Sequence, residues 1–108
     1  MAMKETQLKA HSEIYRFGYT EGVGYIYFLV SGQEVVYIGK SENVDNRIKD
    51  HRNRDWDTCY VLRVDKRNVG AVEQALIRCI EPEMNRQYCS QEPSPLDRMI
   101  LEEYGLDT

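Results

Sequence analysis

The sequence predicts an α+β fold, a small three-stranded antiparallel sheet flanked by helices in the order β-β-α-β-α-α. Three observations carry that expectation. Two β-branched and aromatic runs, 24–30 and 34–40, flank a Ser-Gly-Gln turn, which is the pattern of a hairpin. The apolar residues between positions 69 and 81 recur at helical spacing. A third run at 58–64, ending in the polar stretch Asp65-Lys66-Arg67-Asn68, has the composition of one more strand and its turn.

Taken in order, residues 3–16 are polar with scattered apolar positions (Leu8, Ile14, Tyr15), which fits a weak amphipathic helix or a partly ordered leader. Gly18, Gly22 and Gly24 lead irregularly into the hairpin, so the fold proper is expected to begin near Gly22. In the first strand, alternation puts Tyr25, Tyr27 and Leu29 on one face and Ile26, Phe28 and Val30 on the other. With Gly32 at the apex of the turn, Tyr27 lies opposite Tyr37, Leu29 opposite Val35 and Tyr25 opposite Gly39. A one-residue change in turn geometry offsets the two tyrosines diagonally. Asn43 is an N-cap for a helix over 43–53, where Val44 and Ile48 face inward and Arg47 and His51, four apart, share an adjacent face. In the helix over 69–81, Val69, Val72, Ala75, Leu76, Cys79 and Ile80 form the apolar stripe, Glu73 sits beside it, and Pro82 ends it. Ser94, Pro95 and Asp97 then open a last helix with Leu96, Met99 and Ile100 on its apolar side and Gly105 as its stop.

At 108 residues, with 42% apolar and 30% charged side chains, the chain fits one soluble domain with a single function. No apolar run approaches the roughly 20 residues that span a bilayer, and the first residues lack the apolar stretch of a secretory signal. Cys59, Cys79 and Cys89 are odd in number and without metal-type spacing, so they read as small core residues in a reducing, cytoplasmic setting. His11 and His51 lie too far apart to suggest structural zinc. The net charge of −4 argues against coating nucleic acid through bulk electrostatics, but it is unevenly spread. Residues 92–108 carry five acids against Arg98 alone, whereas Lys40, Arg47, Lys49, Arg52 and Arg54 make the central segment locally basic.

Hydrolysis of a phosphodiester needs a group to deprotonate water, cations to meet the phosphate, and a carboxylate to hold a divalent metal. Tyr27, Tyr37, Lys40, Arg47, His51 and Glu73 supply candidates for all three. Each one alone reads equally well as core or as solvated surface.

Their spacing resembles the GIY-YIG nuclease family. Val36-Tyr37-Ile38-Gly39-Lys40-Ser41 is similar to the YIG motif with the lysine common in the family's repair members, and Tyr27, ten residues earlier, stands at the GIY tyrosine. Asn43, Arg47 and His51 follow the family's N-x-x-x-R-x-x-x-H helix. Glu73-Gln74-Ala75-Leu76-Ile77, then Pro82 and Asn85, resemble its E-x-x-L-I and P-x-x-N segments. One departure is local: the GIY glycine is replaced by Tyr25, with Gly24 one place earlier, as in a related branch that begins Gly-Tyr-aliphatic-Tyr. The acidic net charge is a second departure.

The resemblance implies a DNA endonuclease with one Mg²⁺ or Mn²⁺ per active site held by Glu73. It implies Tyr27 as general base, Arg47 on the scissile phosphate, and Tyr37 and His51 positioning water or a phosphate oxygen. Lys40, Lys49 and Arg52 are the accompanying substrate contacts, while Gly39 and Asn85 support the site. It also divides the chain into a leader (1–21), a nuclease core (22–91) and an acidic C-terminal helix packed on that core (92–108), within one domain. A homodimer or a protein partner is compatible with it. The competing expectation is a non-catalytic adaptor that keeps the fold and binds nucleic acid or protein.

Overall fold

The computed structural model describes residues 22–42, 44, 56–88 and 92–106; the expected leader and most of the helix expected over 43–53 lie outside the described residues. Strands β1 (Val23–Ser31), β2 (Glu34–Ser41) and β3 (Thr58–Asp65) form one antiparallel sheet in the order β2-β1-β3. β1 is therefore the central strand, which explains why 24–30 is a continuous apolar and aromatic run: it is buried on both faces.

The two faces divide as alternation predicts. Ile26, Phe28 and Val30 join the larger core under helix α1 (Val69–Ile80) and helix α2 (Pro95–Glu103), whereas Tyr25, Tyr27 and Leu29 form a second cluster with Val44 and Val61. In α1 the stripe residues Val72, Ala75, Leu76, Cys79 and Ile80 are buried, and Val69 at its start is partly buried against the same core. The fully enclosed Phe28 and Leu76 each contribute about 1.5–3 kcal/mol of transfer free energy. A short 3-10 turn (Lys66–Asn68) runs into α1 where a polar turn was expected, and a second one (Glu83–Tyr88) follows Pro82. Glu81, in the left-handed conformation, ends α1.

The hairpin register differs from the expected one. Gly32 and Gln33 both have positive φ, 57° and 72°, so the connection is a two-residue turn of the primed kind that matches strand twist. Ser31 then pairs with Glu34 and Val30 with Val35, but the ladder shifts between Leu29 and Val30 and Leu29 pairs with Tyr37. Val36 is the extra residue of a β-bulge. As a result Tyr27 lies opposite Gly39 and Tyr25 opposite Ser41, and the two tyrosines are diagonal neighbours instead of a direct pair.

α2 opens with a reciprocal capping box: Asp97 N–H donates to Ser94 Oγ at 3.2 Å, and Ser94 N–H donates to Asp97 Oδ2 at 2.9 Å. The other Asp97 oxygen takes an ion pair from Arg78 of α1 at 3.2 Å. Asp97 and Leu101 face inward, so of the apolar side expected for this helix Ile100 packs against the core while Leu96 and Met99 turn outward, 64% and 62% exposed.

Candidate active site

The tyrosine pair depends on the bulge. Between the primed turn and Val35 the ladder would bring Ile38, not Tyr37, to the face of Tyr27; one extra residue at Val36 restores the parity. The two rings then sit 5.9 Å apart between centroids, tilted by 38°. Tyr27 is fully buried and Tyr37 half-buried.

Gly39 explains how a side chain on the central strand gets to the sheet edge. A Cβ at Gly39 would overlap the Cζ and Oη of Tyr27 and come within 2.8 Å of its Cε1. The hydroxyl end of the Tyr27 ring therefore lies over Gly39 of edge strand β2, in a notch that any side chain would fill. Gly24 plays a comparable part on the opposite face, since a Cβ there would stand 2.9 Å from Val69 Cβ. In this chain the close approach of α1 to β1 thus needs glycine at 24, while Tyr25 packs into the tyrosine cluster.

Asn85 holds the edge strand from outside. Its amide NH₂ donates to the Ile38 carbonyl at 2.9 Å and its Oδ1 accepts from the Ile38 N–H at 2.8 Å, both buried. One side chain thereby does what a fourth strand would do, fixing the backbone between Tyr37 and Gly39. Asn85→Ala leaves a buried donor and acceptor without these partners, and a stability loss of about 2–4 kcal/mol is expected. Urea denaturation measures it; Asn85→Asp, which restores an acceptor but no donor, should recover only part of the loss.

Lys40 lies at the end of β2 opposite Ile26, on the α1 side of the sheet. Its ammonium is 3.5 Å from where a Gly70 Cβ would be. Gly70 and Glu73 are three apart on α1 and so share a face, which places Lys40 one turn from the half-buried Glu73. The site is thus split: Tyr27, Tyr37 and Gly39 occupy one face of the sheet, while Lys40 and Glu73 belong to the other. Arg47, His51, Lys49 and Arg52 lie outside the described residues. Val44, helical and wholly buried, packs in the tyrosine cluster. Gly70 was not singled out in the sequence; a glycine in a helix costs about 1 kcal/mol relative to alanine, and that unexplained cost is the signal that points to it.

Burial pushes the thiol of the half-buried Cys59 up to about 12, which disfavours the thiolate form. Neither Cys59 nor Cys79 is in a disulfide.

Among the described residues no three His, Cys, Asp or Glu side chains gather into a metal cage. A single helix-borne carboxylate such as Glu73 fits Mg²⁺ or Mn²⁺ of the kind held by one or two protein oxygens and completed by water and phosphate. It does not fit a metal that demands a full protein cage.

A three-stranded antiparallel sheet with two phenols packed together on one face and helices on the other defines a small α+β domain. The family within that class is specific: the GIY-YIG catalytic domain matches residues 23–89, well over half of the chain, and the chain belongs to this nuclease family. Comparison with curated proteins and with solved structures returns no match. No helix among the described residues is long and apolar enough to cross a membrane.

Proposed function

We propose that the chain is a divalent-metal-dependent endonuclease that hydrolyses DNA phosphodiester bonds, with residues 22–91 as its core, the leader and acidic helix as parts of the same domain, and the cytoplasm as its place of action. The observation that carries the reading is the Gly39 notch, which delivers the Tyr27 hydroxyl to the sheet edge beside Tyr37.

In this reading Glu73 holds Mg²⁺ or Mn²⁺, which when bound supplies charge stabilisation for the leaving oxygen. Tyr27 takes the proton of the attacking water. A phenol ordinarily keeps its proton to about pH 10, so this role depends on the positive field of Lys40 and Arg47. The planar Arg47 fork also binds the scissile phosphate, His51 and Tyr37 orient the water, and Lys49 and Arg52 meet neighbouring phosphates. Gly39 and Asn85 keep β2 in place.

Supercoiled plasmid incubated with the purified protein tests the reading. Nicking is expected with Mg²⁺ or Mn²⁺ and none with EDTA. Absence of nicking with either metal, on supercoiled, linear and branched DNA alike, would leave a DNA- or protein-binding adaptor as the function of the fold.

A further inference from the structure

We infer that the outward face of α2 docks a cationic amphipathic helix of a partner protein. Leu96, Met99, Ile100, Glu102 and Glu103 line one shallow groove on this helix. Leu96 and Met99, both more than half exposed, supply its apolar side chains, and the two glutamates follow within the next turn. α2 lies beyond residues 23–89, the part of the chain that matches the catalytic domain, so this surface goes beyond the endonuclease reading.

Two features of α2 run against what stabilises a helix on its own core. Its inward position beside Leu101 goes to Asp97, which takes Arg78 at 3.2 Å and the Ser94 N–H at 2.9 Å, while two large apolar side chains stand in water. Its last turn carries Glu102 and Glu103 and no base, although the carbonyl end of a helix favours cations and disfavours carboxylates. No ion pair among the described residues involves either glutamate. Local rules broken together at one surface, without compensation, mark a place where a partner supplies it.

One occupant answers both features. A helix with apolar side chains three or four residues apart covers Leu96 and Met99, and its lysine or arginine one turn further along meets Glu102, Glu103 and the carbonyl end of α2. Charge decides against other occupants. Residues 92–108 carry five acids against Arg98 alone, so a second copy seated on the same face would bring like charges together, and so would DNA or an anionic membrane. The surface is also turned away from Glu73. Ala71 and Arg78, seven apart on α1, face α2, whereas Glu73, two residues on from Ala71, lies about 200° round the helix from it. A partner on α2 therefore leaves the flank of α1 that carries Glu73 open.

The probe is a fluorophore-labelled synthetic peptide of about 15 residues, long enough to fold as a helix, made of Leu, Lys and Ala with its leucines on one face. A control peptide has the same composition with the leucines scattered. Anisotropy titrations with the full chain are expected to give a Kd in roughly the micromolar range for the first peptide and binding weaker by about tenfold or more for the control. Leu96→Ser with Met99→Ser, and separately Glu102→Gln with Glu103→Gln, are each expected to weaken binding of the first peptide by about tenfold or more. Melting temperatures should stay near the parent value, because all four side chains are exposed. Failure of the first peptide to bind overturns the inference. Equal binding of the two peptides, or parental binding by the double-serine variant, does the same, because the attraction would then be to the acidic chain as a whole. A parent chain that sediments as a dimer, with a monomeric double-serine variant, also overturns it by making a second copy the occupant. Nicking enters none of these readouts, so their failure leaves the endonuclease reading standing.

Discussion

Glu73→Ala is expected to bring metal-dependent cleavage down by at least about 10³-fold, since a bound divalent ion contributes several kcal/mol to a transition state that gathers charge on phosphate oxygens. The fold should survive the change. Glu73 lies half-exposed within α1 beside the buried stripe, and alanine is the best helix former available to replace it. Val72, Leu76 and Ile80, which hold α1 on the sheet, are untouched. A thermal melt close to that of the parent, together with loss of Mn²⁺ binding followed by water-proton relaxation, separates loss of the ion from loss of structure. Glu73→Gln sharpens the test because it keeps the size of the side chain and one oxygen while removing the charge, and it too should be inactive. Cleavage at the parental rate by either variant would sink the assignment of Glu73 as metal ligand.

The sequence makes the elements of this fold legible because each has its own periodicity. The continuous run at 24–30 belongs to a strand covered on both sides, the stripe of α1 faces the sheet, and Ser94-Pro95-x-Asp97 forms the cap it encodes. Register is a different matter. Gly-Gln is a less distinctive sign of a primed two-residue turn than Asn-Gly, and nothing in Val35-Val36 announces that one valine is left over between Val30 and Leu29. Those two departures from the simple hairpin, a turn longer by one position and a bulge of one residue, cancel in parity. Alternation therefore puts Tyr27 and Tyr37 on the correct face while their partners come out wrong.

The outward turn of Leu96 and Met99 was hidden for another reason: Asp97, buried and paired with the part-buried Arg78 of α1, takes an inward position on α2, and the spacing of apolar residues has no information about it. Of the candidate site, Gly39 is readable as a motif glycine, but the need for glycine becomes visible only when the Tyr27 ring lies across it. The split of the site between two faces is likewise a property of the sheet, invisible in residue spacing.

Tyr27→Phe is the more discriminating replacement, and a fall in cleavage of roughly 10²-fold to 10⁴-fold is expected from the loss of a general base. Phenylalanine retains the ring, so the packing against Tyr37 and over Gly39 persists and only one hydroxyl goes. The stability change should stay within about 1.5 kcal/mol, the ordinary worth of a hydrogen bond. The burial of Tyr27 makes the test demanding, because a base at this position requires a water admitted above Gly39. A base must be deprotonated to act, so the parental rate should climb as pH rises through the range in which the phenol loses its proton. The residual activity of Tyr27→Phe should lack that rise. A rate profile of Tyr27→Phe with the parental slope and magnitude would return Tyr27 to the core, and the Gly39 notch would then be no more than the packing of one ring against a backbone.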